Sequence, residues 1–400
     1  MSRNDDAHLE PDDNSEMVVD KLAPFPLGRR EFLKAGAAGL LVVFAVDPAE
    51  ALVEKAQGGG RQGGYPADFN AYLLVKPDSR VTCFVGKIEM GQGPIRSLGQ
   101  LLAEELDVAM ESVDMVMGDT DLCPWDMGTF GSLSVRQFGP VLRQAGAEAR
   151  SVLLQMASEK LQVPVGRLAV KNGVVTDTAN PKSSVTYAQL TAGKRIERAV
   201  TSKPALKAAA SYTIVGKSIP RPDGAEKVAG KAKFAGDVVP PGGALHARVL
   251  RPPAHGATLA SVDTSAAEKL PGARVVRDGD LVAVLHEHRD EADKALALVK
   301  AQWTRNDPPV DDQTIFDHLV KAAPAPRTAA EGGSLAEGEK IAATVFEETY
   351  FNSYVSHAAI ETHSAVASIE DGKVTVWVST QAPFSVRPAV AQALGLAQQN

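Results

Sequence analysis

Between residues 70 and 200, apolar positions recur first at every second residue and then at every third or fourth, so strands and helices interleave along the chain. Two strands are expected over 70–87, folded about Pro77, Asp78 and Ser79. From Pro94 the period becomes helical, with Ile95, Leu98, Leu102 and Leu106 on one face. Proline suits the first turn of a helix, where its missing N–H costs nothing. A strand is expected over 113–117 and a longer helix over 140–161, striped by Leu142, Ala145, Ala149, Val152 and Met156. Asn172-Gly173 and Asp371-Gly372 signal hairpin turns. Later strands are expected over 245–250, 281–285, 365–369 and 374–379, with helices over 291–301 and from about Pro388. Intermixed strands and helices of this kind predict an α+β fold.

Composition shifts divide the chain. Residues 1–51 read as an address. Asp5, Asp6, Glu10, Asp12, Asp13, Glu16 and Asp20 make a solvated acidic tail, followed by Arg29-Arg30, an apolar run over 35–46 and Ala49-Glu50-Ala51. An arginine pair, a short apolar stretch and small residues at cleavage spacing resemble a twin-arginine export signal, so a periplasmic location is expected. Twelve apolar residues make about 18 Å of helix, short of the roughly 30 Å hydrocarbon core, so a spanning anchor is not expected. An ordinary helix with a chance arginine pair is the competing reading. Residues 52–66 form a glycine-rich linker. The first folded unit is expected over 67–215, a compact α+β unit over 216–303 and a Pro-, Asp-, Ala- and Gly-rich connector over 304–342. Residues 343–400 hold too little to bury a core alone.

A formal charge of -7 argues against nucleic acid as the main partner, because phosphate binding needs a basic face. Two cysteines, Cys83 and Cys123, cannot supply a four-cysteine zinc or iron–sulfur site. Cys83 alternates with Val81 and Val85 and is expected in the core, while spacing leaves a Cys83–Cys123 disulfide open. His357 and Glu361 would share a helix face at i, i+4, but the segment is equally readable as extended, and structural roles are favoured. His286 and His288 would share one strand face and are read as surface. No residue is assigned as a metal ligand.

Two glycine turns carry the candidate chemistry. Glu89-Met-Gly-Gln-Gly93 and Gly128-Thr-Phe-Gly-Ser-Leu-Ser134 each precede an expected helix, with Gly118-Asp-Thr-Asp121 between them. Glycine lets backbone approach a ligand, and a helix start offers unpaired N–H groups to an anionic or carbonyl partner. Gln92 carries both a donor and an acceptor, and Ser132 and Ser134 carry hydroxyls. Alone, Gly91-Gln92-Gly93 reads equally as a tight strand-to-helix turn, and Gly131-Ser132-Leu133-Ser134 as a helix cap with serine at the N-cap. Neither matches a nucleotide fingerprint, and residues 57–66 lack the Gly-Lys-Ser/Thr ending of a phosphate loop.

In this order, these motifs resemble the molybdenum-binding subunit of the xanthine dehydrogenase/aldehyde oxidase family. Pro222-Asp-Gly-Ala-Glu-Lys-Val228 and Arg251-Pro-Pro-Ala-His-Gly256 are similar to that family's a/b hammerhead domain, placing it at 216–303. His357-x-x-x-Glu361 and Ser379-Thr-Gln-Ala-Pro383 resemble the start of a further molybdopterin-binding domain over 343–400, and 67–215 a portion of the first. A twin-arginine leader and cofactor loops ahead of the hammerhead match the permuted branch typified by isoquinoline 1-oxidoreductase and nicotinate dehydrogenase large subunits, here truncated at the C-terminus. The resemblance implies a molybdenum–molybdopterin cofactor, with a cytosine dinucleotide form allowed, held through Gly91, Gln92, Gly131, Ser132, Leu133 and Ser134. It implies oxidation of an N-heteroaromatic compound or an aldehyde with oxygen from water. Electrons would leave to a small subunit with two [2Fe–2S] clusters, and a cytochrome c subunit is also admissible.

The sequence departs from the family in two respects. Val355 stands where some members place a glutamine, which weakens a purine-specific reading. The Gly-Gly-Gly-Phe-Gly-Gly loop and the Gly-x-Gly-Glu motif, whose glutamate is the family's general base, do not occur in residues 1–400, so no catalytic residue is assigned. A truncated, non-catalytic cofactor-binding fragment is the alternative function, and a nucleotide-binding protein a third.

Overall fold

A computed structural model describes residues 39–44, 71–76, 78–192, 195–199, 204–305 and 310–398. Residues 28–34, 57–66 and the acidic tail lie outside these. The chain forms two units, one comprising residues up to 232 together with those from 380 onward, the other residues 233–379.

The first unit is built on a mixed five-stranded sheet of β1 (Gly39–Phe44), β2 (Ala71–Val75), β3 (Val81–Val85), β4 (Val113–Met117) and a later strand, Arg195–Ala199. β2 and β3 are antiparallel about a turn in which Ser79 takes φ 68°, as the alternation predicted. Helix α1 (Pro94–Leu106) carries the chain from β3 to its parallel neighbour β4. Leu98, Leu102 and Leu106 pack on Leu73, Val75, Val81, Cys83 and Val85, while Ile95 is only half-buried. Helix α2 (Gly139–Leu161) closes the same core with Leu142, Ala145, Ala149 and Val152. It is preceded by a wider turn over Ser134–Phe138, so no serine side chain caps it. Strands β5 (Leu168–Lys171), β6 (Val174–Asp177) and β7 (Asn180–Thr186) form a separate antiparallel sheet, with β5 and β6 joined at Asn172-Gly173, both at positive φ. The strand Arg195–Ala199 is β8 and completes the order β4-β3-β2-β1-β8.

β1 corrects one expectation. Residues 39–44, expected in a helical apolar run, hydrogen-bond as a strand between β2 and β8. Val42, Val43 and Phe44 favour strands, and β2 would otherwise present an open edge.

In the second unit, β9 (His246–Val249), β12 (Leu281–His286) and β11 (Arg274–Asp278) form one antiparallel sheet, and β10 (Thr258–Asp263) pairs with β13 (Lys300–Thr304) in another. Helix α3 (Arg289–Leu298) buries Ala292 and Ala295. It ends earlier than expected because Lys300 and Ala301 are already extended in β13. The connector holds two short helices, Ile315–Ala322 and Leu335–Ile341. Strands β14 (Ala365–Glu370) and β15 (Lys373–Val378) form the hairpin turned at Asp371-Gly372.

The helix expected from about Pro388 is α4 (Pro383–Ala393), which begins at Pro383 and contains Pro388. It belongs to the first unit. Phe384 joins Leu74, Phe84, Leu122 and Cys123 in a small apolar cluster, and the Arg387 guanidinium donates to Thr120 O at 2.7 Å.

Candidate functional site

Both glycine turns leave the carboxyl ends of parallel neighbours, β3 and β4, the end of such strands where α/β sheets receive ligands. Gly86 brings β3 against the second strand's outgoing loop, where a Cβ would sit 2.3 Å from the Asp126 Cβ. Lys87 then turns inward. Its ammonium lies 3.0 Å from Asp126 Oδ1 and donates to Gly128 O at 2.8 Å, with side chains 1% and 0% exposed. Asp126 Oδ1 also accepts from Gly128 N at 2.8 Å. One residue on, Ile88 N–H donates to Thr129 Oγ1 at 2.8 Å, so the two turns are fastened side by side. Thr129 N–H donates to Gln381 O at 2.8 Å, which ties the segment before α4 to the same place.

The first turn is held from within. Glu89 Oε1 accepts from Gly91 N (2.8 Å) and Gly93 N (3.1 Å), and Oε2 accepts from Ile95 N (3.2 Å). Gly91 and Gly93 take φ 98° and 86°, angles at which a side chain would be strained. The N–H groups read from the sequence as unpaired are therefore taken by the turn's own carboxylate. Gln92 is folded onto the turn, its Oε1 accepting from Met90 N at 2.7 Å and its Nε2 donating to Ile88 O at 3.3 Å. Arg221 covers the outside, donating to Gly91 O at 2.7 Å and gripping Asp223 with both arms. Arg221 and Lys227 beside Asp223 hold its carboxyl well below the usual carboxylate range.

In the second turn, Gly131 and Ser132 take φ 64° and 58°, and Leu133 returns to right-handed helical angles. A left-handed residue followed by a right-handed one makes a concave turn of the kind that receives negative or carbonyl oxygens, although here the Leu133 N–H closes back on Phe130 O at 3.3 Å. Between the turns lies a cleft of about 530 Å³ lined by Met90, Gln92, Pro94, Ser97, Thr129, Phe130, Ser132, Ser134 and Val135. Of the residues marked in the sequence, Gln92, Ser132 and Ser134 line it, whereas Gly91, Gly131 and Leu133 lie in the two turns without lining the cleft. An amide and four hydroxyls among four apolar side chains, Met90, Pro94, Phe130 and Val135, suit a flat organic group with a polar edge held by hydrogen bonds. Among the described residues, no three His, Cys, Asp or Glu side chains are grouped to hold a metal ion.

A second layer anchors α1. Glu104 is buried and accepts from Thr213, Ile214 and Val215 N–H groups, with Lys207 3.6 Å away. Burial opposes its ionisation, but these three backbone bonds and Lys207 outweigh it and hold the carboxyl below its usual range. Glu105 pairs with Arg143 at 2.6 Å. Gln100 Nε2 donates to Ile214 O and Lys217 O, so α1 fixes the segment that delivers Arg221.

The remaining sequence candidates lie elsewhere. Cys83 and Cys123 are buried free thiols, and desolvation pushes Cys123 up to about 12 and Cys83 higher. His286 is buried, correcting its reading as surface; its Nε2 donates to Pro271 O at 3.1 Å and Nδ1 accepts from His288 N at 2.9 Å. His288 sits beyond β12 at the start of α3, so the two do not share a strand face. His357 and Glu361 lie in a stretch without helix. Lys87, Asp126, Thr129 and Arg221 were not marked as site residues. A lysine ending the apolar run 81–85 was the available signal for the first.

Comparison with known proteins identifies the family. Residues 30–236 match one molybdopterin cofactor-binding domain family, and residues 320–400 match a second. A nicotinate dehydrogenase subunit of Pseudomonas putida is 32% identical over 372 residues, 90% of this chain and 31% of that protein. The beta subunit of isoquinoline 1-oxidoreductase from Brevundimonas diminuta is 28% identical, covering 82% of this chain and 48% of its own. A membrane-bound aldehyde dehydrogenase (pyrroloquinoline-quinone) of Gluconacetobacter polyoxogenes is 27% identical, covering 81% and 44%. The chain thus spans between about a third and a half of the length of these relatives. It belongs to the molybdopterin-binding subunits of the xanthine dehydrogenase family.

Proposed function

We propose that this chain is the cofactor-receiving portion of a molybdenum hydroxylase large subunit that oxidises an N-heteroaromatic compound or an aldehyde. The observation that carries this is the cleft between two turns fastened by Ile88 and Thr129, lined by Gln92, Ser132 and Ser134. Gln92 would turn its amide into the cleft, Ser132 and Ser134 would offer hydroxyls, and Gly131 would offer backbone polar groups. Gly91 and Leu133 would shape the turns, their N–H groups being taken by Glu89 Oε1 and Phe130 O. The bound molybdenum–molybdopterin group supplies two-electron oxidation with oxygen taken from water. This chain's own residues bind and orient that group, and Lys87 and Asp126 keep the floor of the cleft rigid.

Two electrons must leave after each oxidation, and a small [2Fe–2S] subunit is the partner of that chemistry, with a cytochrome c subunit as a further acceptor. The nicotinate dehydrogenase and isoquinoline 1-oxidoreductase relatives are themselves named as subunits, which supports assembly with other chains. Arg29-Arg30 and the apolar run after it support periplasmic export of the folded protein; the same segment contributes β1, so leader and sheet share residues.

Metal and pterin analysis of the full-length protein purified with its native partners tests the reading. Molybdenum with a pterin in near-stoichiometric amount is the expected result. Nucleotide without molybdenum would overturn it.

A further inference from the structure

Helix α1 has an anion already at its N-terminus, and the anion belongs to the protein. Glu89 is mostly buried (19% side-chain exposure), and its two oxygens take the N–H groups of Gly91, Gly93 and Ile95, the donors a phosphate would otherwise seek. Arg221 stands 3.5 Å from the same carboxylate, so its guanidinium fork is committed to Glu89 and to Asp223. Among the described residues, no carboxylate fills the concave run at Gly131, Ser132 and Leu133 in the same way. Ser132 and Ser134 face the cleft there, and Arg136 follows on the exposed side of the wider turn.

We propose that Glu89 is a specificity-determining positioning residue: it reserves the start of α1, so the first turn recognises an uncharged hydrogen-bonding edge through the Gln92 amide and rejects a phosphate. For the identity of the ligand this rests on the molybdopterin reading above; the claim about the turn stands on Glu89 alone. A helix start holding a fixed carboxylate repels a second anion, whereas an amide side chain placed beside it offers one donor and one acceptor to a flat heterocycle. The Glu89 bonds also hold the turn with Gly91 and Gly93 at positive φ, which keeps the exposed Gln92 at the rim of the cleft.

The test adds inorganic phosphate, and separately formate, to the full-length protein without cofactor, with amide chemical shifts of Gly91, Gly93 and Ile95 as readout. In the unaltered protein neither anion should produce saturable shifts at these three amides. In Glu89→Ala the vacated position should bind formate or phosphate at least about tenfold more tightly than the unaltered protein, the scale of an anion at a partly buried helix start. Saturable phosphate shifts in the unaltered protein, or no gain in Glu89→Ala, would overturn the proposal. Should Glu89→Ala fail to fold, Glu89→Gln keeps nearly the same shape without the charge. Hydrogen exchange at Gly91, Gly93 and Ile95 should then quicken relative to the unaltered protein while exchange in β3 does not, and unchanged exchange at the three would sink the idea. None of these readouts involves molybdenum, so they fail or succeed independently of the metal analysis.

Discussion

Lys87 and Asp126, thirty-nine positions apart, meet at 3.0 Å with almost no exposure, directly beneath the two turns that form the cleft. A buried pair of this kind is worth most as a geometric constraint, because removing one partner leaves a stranded charge. Lys87→Met should therefore cost about 3–5 kcal/mol in urea unfolding. Lys87→Met with Asp126→Asn should cost clearly less than the two singles summed. Additive losses would mean the pair does not hold the turns together.

Thr129→Val keeps the shape of the side chain and removes the oxygen that accepts from Ile88 N–H. Leaving that N–H unpaired should cost about 1–3 kcal/mol. The same variant should co-purify with less molybdenum per chain than the unaltered protein. Equal stability together with equal loading would show that this bond does not align the turns.

Glu104 sets an acid limit. Its carboxyl is held below its unfolded value, so its contribution is fully present above roughly pH 4.3 and is lost as pH falls through the lower folded value. Glu104→Gln should be less stable by about 2 kcal/mol at pH 7, the scale of hydrogen bonds to a charged group, and the gap should shrink on acidification. A gap independent of pH would remove the carboxylate from the account.

Cys83 and Cys123 should resist alkylation by iodoacetamide at pH 8 in the folded protein and react after denaturation. Burial raises both thiols, and a thiol far above ambient pH holds little of the reactive thiolate. Rapid labelling of the native chain would contradict their placement.

Periodic residues made the framework legible. Leu98, Leu102 and Leu106 announced α1, Asn172-Gly173 and Asp371-Gly372 announced their hairpins, and the two glycine turns announced the cleft's walls. What stayed hidden depended on pairings across long stretches of chain. Nothing local marks Asp126 as the partner of Lys87, or Ile214 as the donor to Glu104. Residues 39–44 show the same limit, because an apolar run is neutral between helix and strand until a neighbouring edge selects one. Glu89 was visible as a letter of the motif, but its three bonds back into the turn needed coordinates.

α4 returns to the first unit, with Gln381 O receiving the Thr129 N–H and Arg387 reaching Thr120 across 267 residues of chain. That closure sets an order of synthesis. As the polypeptide emerges from the ribosome, the turns at 89–93 and 128–134 appear early, yet the segment that braces the second of them arrives only after the whole of the other unit has been made. The wall around Thr129 is thus finished well after its own residues are made, so its ligand meets a complete site only once α4 has docked.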